Sequence, residues 1–207
     1  MNKDTANTKY TVKLSKTYKF DDKEYTEIDL SGLEKLTVED AVLAVKKLTA
    51  DNEQAAMIMP ELSTAYSDAL AAKATGFPLE FFQLLPLGAS KKVRQTVRDA
   101  ITAADADEKE DTQKHVLYLH KPYTYGGETF TEIDLSGIGD LTGMNIRQAE
   151  NRMTKEGIVA PDQNSNYYYC CLMASMATGK DVKFFLGLPL CEAVYLRNAV
   201  NDEDFFE

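Results

Sequence analysis

The sequence predicts an α+β protein built from two homologous units, each an N-terminal β-hairpin followed by three or four helices. Three observations lead to this prediction. One stretch of sequence occurs twice, alternating apolar and polar residues accompany each copy, and apolar residues at helical spacing follow it. A repeat of this length indicates two related structural units, each long enough to bury a modest core, although one continuous shared core is an alternative.

The repeat is strongest over seven residues. Thr-Glu-Ile-Asp-Leu-Ser-Gly at residues 26–32 recurs unchanged at residues 131–137. Ala-Thr-Gly at residues 74–76 recurs at residues 177–179, so the second copy lacks two residues in its middle. Each unit is therefore about a hundred residues long, which is a usual size for a domain.

The chain is predicted to divide into four parts. Residues 1–9 are a loose N-terminal tail, residues 10–104 are unit 1, residues 105–113 are an acidic linker, and residues 114–207 are unit 2. The linker is rich in charge and has no large apolar side chain, so it cannot bury enough surface to order itself. We expect limited proteolysis to cut there first.

Each unit opens with a predicted hairpin. Alternation begins at Tyr10, and a second alternating run extends from residue 25 to residue 30, as expected for two half-buried strands. In unit 1 the turn falls at Asp21-Asp22-Lys23. Unit 2 has Gly126-Gly127 at this place, which is a strong hairpin signal.

The first helix of unit 1 is predicted to begin at Thr37, whose hydroxyl caps a first turn that contains Glu39 and Asp40. Its apolar residues recur at helical spacing and predict a buried face. These residues are Val38, Ala41, Val42, Val45 and Leu48.

Two further helices complete each unit. The second is predicted to begin near Pro60 and to end at Gly76, with a counterpart from Pro161 to Gly179. A short buried turn with a Phe-Phe pair follows at residues 81–82 and 184–185, and we expect these rings to pack in the core. The last helices are predicted at residues 90–103 and 192–201.

Composition excludes several classes of function. The net charge is −10, of which residues 1–105 carry −2 and residues 106–207 carry −8. Nucleic-acid binding is therefore not expected, because it requires a positively charged surface. No apolar run approaches the roughly 20 residues that span a bilayer, and the polar start lacks a signal-peptide core, so we expect a cytoplasmic protein with no membrane contact. Cys170, Cys171 and Cys191 fit neither a disulfide framework nor a metal knuckle, and we expect plain buried thiols.

No catalytic, metal or cofactor site is predicted. Glu27 and Asp29 share one face of a strand, as do Glu132 and Asp134, and paired carboxylates can perform acid–base chemistry or hold a divalent ion. The apolar residues between them favour a simpler interpretation, in which the carboxylates mark the solvated side of the strand. The two histidines, at positions 115 and 120, are five apart in a predicted strand and so point to opposite faces.

Three consecutive tyrosines, Tyr167, Tyr168 and Tyr169, are the candidate partner-binding residues. Successive side chains on a helix are about 100° apart, so the three cannot all face one core. At least one is expected to be exposed, which favours a contact surface.

The order of these motifs resembles the tail assembly chaperones of long-tailed bacteriophages. The resemblance rests on Lys121-Pro122-Tyr123, on Gly-Glu-Thr-Phe-Thr-Glu-Ile-Asp-Leu at residues 127–135, on Leu141-Thr142, on a helix pair closed by Thr-Gly, and on a short turn ending in Leu-Pro. Unit 1 shows the same order, with Lys16-Thr17-Tyr18 in place of Lys-Pro-Tyr.

This resemblance implies a non-enzymatic cytoplasmic protein that binds the tape-measure protein and brings tail-tube subunits to it. It names no catalytic residue. Family members are usually a single unit with a variable extension, so here the second unit is expected to replace the extension. Two alternatives stay open: a structural virion or neck component, and a hydrolase that uses the repeated carboxylates.

Overall fold

In a computed structural model of the protein, the structure describes residues 8–102 and 115–202. Most of the predicted tail and the whole of the predicted linker at 105–113 lie outside these residues. The names unit 1 and unit 2 are kept below for the two halves. Unit 1 consists of a short 3₁₀ turn at Thr8–Tyr10, then β1 (Thr11–Phe20), β2 (Lys23–Asp29), α1 (Val38–Ala50), α2 (Gln54–Ile58), α3 (Thr64–Thr75), α4 (Leu79–Gln83) and α5 (Leu87–Ile101).

Unit 2 repeats this order without the short α2. It consists of β3 (Val116–Tyr125), β4 (Glu128–Asp134), α6 (Gly143–Lys155), α7 (Tyr167–Thr178), α8 (Val182–Leu186) and α9 (Ala193–Val200). The predicted α+β class, with a hairpin followed by helices in each unit, is confirmed.

The two hairpins are built alike. β1 pairs antiparallel with β2, and β3 with β4, each with an irregularity at the same place in its register. The turn at Gly126-Gly127 has positive φ at both residues, as a tight hairpin turn requires. Asp21 and Asp22 also adopt positive φ, of 47° and 57°. The turn predicted at these aspartates therefore forms as well, because Asp tolerates this conformation better than most residues.

The repeated motif folds each hairpin onto its own helices. Ile28 and Leu30 are buried, whereas Asp29 accepts a hydrogen bond from the backbone N–H of Ser31 and closes the turn that follows β2. Gly32 then crosses α3 so closely that a Cβ at this position would overlap the carbonyl oxygen of Ala74.

The equivalent residues of unit 2 make the same contacts. Asp134 accepts from the N–H of Ser136, and a Cβ at Gly137 would overlap the carbonyl oxygen of Ala177. The identity of the motif in the two units therefore follows from a shared backbone crossing.

The predicted face of α1 is confirmed residue by residue. All five apolar residues of the stripe are buried, and Thr37 and Asp40 form a reciprocal capping box. The capping box recurs at Thr142 and Asn145 of α6. Only Ala149 and Met153 of α6 are buried, however, because the rest of its equivalent face lies open.

The predicted starts of the second helices are wrong. Pro60 begins a separate 3₁₀ turn, and α3 starts at Thr64, where the Ser63 hydroxyl caps the helix by accepting from the N–H of Tyr66. In unit 2 the helix starts at Tyr167, six residues after Pro161, because the Asn166 side chain accepts from two N–H groups of the first turn. A nearby capping side chain therefore decides these boundaries, and the proline does not. The predicted ends are correct, since Gly76 and Gly179 both adopt the left-handed conformation.

The Phe-Phe pairs lie in the core, as predicted, with Phe81 and Phe184 each at the centre of an aromatic cluster. Phe81 contacts rings of both strands, with centroid distances of 5.1 Å to Tyr18 and 5.0 Å to Tyr25. Phe184 makes the equivalent contact with Phe130 at 4.9 Å. These clusters attach each hairpin to its helices.

The two units share one continuous cluster of buried apolar side chains. Their backbones also meet, because the segment before α1 pairs antiparallel with the segment before α9. The N–H of Val38 donates to the carbonyl of Leu188, and the N–H of Leu190 donates to the carbonyl of Leu36, both over 2.9 Å. The shared core is thus the alternative that the structure adopts.

Candidate functional site

An open groove between α1 and α3 has a volume of about 440 Å³ and a mainly apolar lining. Leu43 of α1 is 53% exposed and forms part of its wall. Small residues of α3 line the opposite side and leave room between the helices. The main lining residues are Leu43, Ala44, Leu48, Ala69, Ala72 and Phe77.

Charged side chains surround this apolar floor. Asp40, Lys47, Asp51 and Lys73 line the groove, and Lys73 lies 3.3 Å from Asp40 in an ion pair. An apolar floor with a rim of both charges is typical of a surface that accepts the apolar face of an amphipathic helix.

Unit 2 does not repeat the apolar lining of this groove at the equivalent described positions. The residue equivalent to Leu43 is Gln148, and the residue equivalent to Phe77 is Lys180. Lys180 instead lies over the rings of Phe130 and Phe184, at 4.6 and 5.0 Å from their centroids. The groove is therefore specific to unit 1.

The groove was not predicted, although the sequence contains a signal for it. Leu43 lies outside the buried stripe of α1, and a large apolar residue on the open side of an amphipathic helix can mark a contact surface. The small residues of α3 gave no such signal, because alanine is common in any helix.

The repeated carboxylates lie at the surface. Glu27, Asp29, Glu132 and Asp134 are all exposed, with buried isoleucines between them. Hydrogen bonds from Ser136 hold the pKa of Asp134 below its ordinary value. The structure thus agrees with the predicted solvated strand face, on which the aspartates close turns.

The two histidines differ in position and in contacts. His115 precedes β3 in a turn, with φ of 72°, so the prediction that it lies within the strand is wrong. His120 lies in β3, where its backbone N–H donates to Glu192 Oε1 over 2.8 Å and its Nδ1 lies 3.0 Å from Oε2. Glu192 is fully buried, so this contact fixes α9 against β3.

Within residues 8–102 and 115–202, no group of three or more His, Cys, Asp or Glu side chains is arranged to hold a metal ion. Cys170 and Cys171 are buried as predicted, and Cys191 is partly buried. Burial raises the pKa of Cys170 to about 12 and that of Cys191 to about 12. These thiols are therefore protonated at neutral pH and poor nucleophiles.

The predicted exposure of the tyrosines is wrong. Tyr167, Tyr168 and Tyr169 are all at most 5% exposed. The argument from helical spacing assumed that α7 meets only one core, whereas α7 packs against α1 of unit 1 as well as against α6 and α9 of its own unit. A helix surrounded on several sides can bury consecutive residues.

Tyr167 contributes to the contact between the units. Its hydroxyl donates to Glu61 of unit 1, and Arg197 donates to the same carboxylate oxygen over 2.5 Å. Burial raises the pKa of Tyr167 well above its ordinary value, so its hydroxyl stays a donor. Tyr168 donates to Glu156 over 2.5 Å within unit 2. A partner-binding role for these residues stays a prediction, but no exposed tyrosine surface supports it.

None of the helices in the described part of the chain is both long and apolar enough to cross a membrane.

The described residues thus form two hairpin-and-helix units that share a core, with an apolar groove on unit 1. A family model described as phage tail assembly chaperone proteins, E, or 41 or 14, matches residues 11–101, from the first residue of β1 to the last residue of α5. Unit 1 therefore matches the phage tail assembly chaperone family, as the sequence motifs predicted. No curated protein and no solved structure gave a significant match.

The family defines a role in the assembly of bacteriophage tails, with other tail proteins as the expected class of partner. The match covers less than half of the chain, and the groove lies within it.

Proposed function

We propose that the protein is a non-enzymatic chaperone that binds the tape-measure protein in the host cytoplasm, with the groove between α1 and α3 as its binding site. The observation that carries this proposal is the position of the groove, which lies wholly within the unit that matches the family. The occupant would be an amphipathic helical segment of the tape measure, whose apolar residues contact Leu43 and Phe77.

The two units would then have different tasks. Unit 1 offers the apolar groove, whereas unit 2 lacks it and belongs to the half of the chain that carries most of the negative charge. We therefore assign the recruitment of tail-tube subunits to unit 2. Charge complementarity would speed the encounter with a basic tube surface and make it dependent on salt.

Co-expression with the tape-measure protein tests the proposal. The intact chain should keep the tape measure soluble and co-purify with it. Leu43→Glu places a charge in the apolar groove and should weaken binding by about 2 kcal/mol or more, roughly 30-fold in Kd. Gln148→Glu makes the same change at the equivalent exposed position of α6 and should bind like the wild type.

The two parts of the proposal can fail separately. If the tape measure does not co-purify with the intact chain, the chaperone role is wrong. If it co-purifies equally well with the wild type and with Leu43→Glu, the groove is not the binding site. Circular dichroism of both variants would show that the change at an exposed residue leaves the fold intact.

A further inference from the structure

Unit 2 binds one of its own carboxylates at the edge of its hairpin. The backbone N–H of His120 donates to Glu192 Oε1 over 2.8 Å, and Nδ1 of the same histidine lies 3.0 Å from Oε2. The ring of Tyr195 packs on the histidine, with 4.1 Å between the two ring centroids. Glu192 is fully buried. The irregular segment of β3 is therefore a carboxylate site that a side chain of the same unit fills.

Unit 1 has the same backbone arrangement at the equivalent place. The register of each hairpin is irregular at the same point, and Ser15 of β1 has the position of His120 of β3. α5 packs along β1, as α9 packs along β3. Lys92 of α5 donates from Nζ to the carbonyl oxygen of Lys13 over 3.0 Å, so this edge of β1 faces α5.

The side chains that fill the site in unit 2 are replaced in unit 1. Helical residues of unit 2 follow their counterparts in unit 1 by 103 positions, as the two Ala-Thr-Gly sequences show. Ala89 therefore stands in place of Glu192, and Lys92 stands in place of Tyr195. Unit 1 thus lacks the buried carboxylate and has a cation beside the same stretch of backbone.

The edge of unit 1 is also open to solvent. Ser15 is exposed, Ala89 is half-buried, and a Cβ at Gly88 would meet nothing within 4 Å. We call the surface formed by Ser15, Ala89 and Lys92 the Ser15 edge. It has the room that the Glu192 side chain occupies in unit 2.

Positive charge surrounds the Ser15 edge. A groove between β1 and α5 adjoins it, and polar or charged side chains line most of this groove. The polar and charged lining residues are Thr11, Lys13, Glu27, Lys92, Gln95 and Thr96. Lys16, next to Ser15, is exposed as well. Within the described residues, Lys13, Lys16 and Lys92 form no ion pair. These cations favour an anionic ligand, and Glu27 is the one acid that lines the groove.

We infer that the Ser15 edge binds an Asp or Glu side chain of an acidic segment in a partner protein, in the place that Glu192 fills in unit 2. The N–H of Ser15 donates to the carboxylate, and Lys92 supplies the opposite charge. Because the edge is exposed, the contact is weaker than its buried equivalent and depends on salt. The Ser15 edge shares no residue with the groove between α1 and α3, so this inference does not rest on the binding of the tape measure.

Amide NMR spectra of the isotope-labelled intact chain test the inference. The probe is a hexaglutamate peptide, acetylated and amidated so that it carries only side-chain carboxylates. It should move the Ser15 amide proton downfield more than any other, with a Kd on the order of 0.1–1 mM at low salt that rises as salt is added. A blocked hexaglutamine peptide should leave the spectrum unchanged.

Ala89→Glu gives the sharpest result, because it places in unit 1 the carboxylate that unit 2 has. The Ser15 amide proton should move downfield without any peptide, and the Kd for hexaglutamate should rise at least about tenfold. Lys92→Gln should raise the Kd by about threefold to fivefold. Gln148→Glu makes the same change in net charge on α6 and should bind hexaglutamate like the wild type.

Three results would overturn the inference. They are the absence of hexaglutamate binding at low salt, shifts at the lysine-bearing segments without a shift at Ser15, and equal binding by the wild type and Ala89→Glu. Melting temperatures show whether Ala89→Glu keeps the fold. Lys92→Gln changes an exposed side chain, so it still decides the outcome if Ala89→Glu is unstable.

Discussion

The backbone N–H of Val38, the first residue of α1, donates to the carbonyl oxygen of Leu188 in unit 2 over 2.9 Å. The first N–H groups of a helix have no partner within the helix, so unit 2 satisfies a group that would otherwise need water or a cap. The Val38 side chain is fully buried at the same place. The start of α1 is therefore fixed from outside its own unit.

Val38 of α1 and Gly143 of α6 occupy equivalent positions. Exchanging these two residue types tests whether the starts of the two helices are buried to different extents. Val38→Gly places in α1 the residue that α6 has at the equivalent position, and it should lower the free energy of unfolding by about 2–4 kcal/mol through lost burial and a cavity. Gly143→Val is the reverse change at an exposed site and should stay within about 0.5 kcal/mol of the wild type. Urea denaturation of dilute protein measures both. Equal losses would mean that both helix starts are buried alike.

The crossing of Gly32 over α3 gives a second prediction. A methyl group at Gly32 or Gly137 would overlap a backbone carbonyl, which cannot move without displacing the helix. Gly32→Ala and Gly137→Ala should each lower the free energy of unfolding by about 1–3 kcal/mol or more. Gly88→Ala is the control, because nothing lies within 4 Å of a Cβ there and the residue is helical. It should be neutral or slightly stabilising, by at most about 1 kcal/mol.

The parts of the fold that could be predicted depend on local sequence. The hairpins, the buried face of α1 and the glycine ends of the helices follow from alternation, helical spacing and backbone conformation, which neighbouring residues determine. The family also followed from local motifs, because the hairpin, its turn and the Leu-Pro turn are all short segments.

The parts that could not be predicted depend on contacts distant in sequence. Tyr167 is buried because α7 packs against α1 of the other unit, and its hydroxyl bonds to Glu61, more than a hundred residues away. The groove exists because α3 offers small side chains opposite Leu43, and no spacing rule within either helix contains that relationship. Which unit contacts which surface of the other is likewise a property of the assembled chain.

Asp68 gives a prediction about pH. Burial raises the pKa of Asp68 to about 6, although the charge of Arg94 opposes the shift. Between pH 3.8 and about 6, the carboxyl group of Asp68 therefore keeps its proton in the folded state, whereas in the unfolded state, with a pKa near 3.8, it has lost it. This contribution to stability is present at low pH and is lost as the pH rises through about 6. Asp68→Asn should be more stable than the wild type at pH 7 and should show a flatter pH dependence from about 4 to 6 in thermal melts.

Asp134 is the control of opposite sign. The pKa of Asp134 is lowered by hydrogen bonds from Ser136, so its contribution is present above the ordinary pKa and is lost as the pH falls below it. Asp134→Asn should therefore change stability at neutral pH more than in acid. If both asparagine variants shifted the curve in the same direction, the assignment of Asp68 as the proton-binding group would be wrong.

The last prediction concerns Tyr167, and it separates stability from binding. Its hydroxyl, the Glu61 carboxylate and the Arg197 guanidinium form a largely buried cluster between the units, with Arg197 also 5.6 Å from the centre of the Tyr167 ring. Tyr167→Phe keeps the ring and removes one hydrogen bond to a charged acceptor. This change should lower the free energy of unfolding by about 1.5–3 kcal/mol.

Two matched variants show whether burial of the hydrogen bond is the reason for the loss of stability in Tyr167→Phe. Tyr168→Phe removes a similar bond to Glu156, whose side chain is exposed and can bond to water, so the loss should be under about 1 kcal/mol. Tyr125→Phe, at the exposed tip of the second hairpin, should cost almost nothing. Urea denaturation gives the order of the three losses, and co-purification with the tape-measure protein should be unchanged in all of them. A Tyr167→Phe variant of normal stability that no longer bound the tape measure would return the tyrosines to the binding surface and contradict the role inferred from their burial.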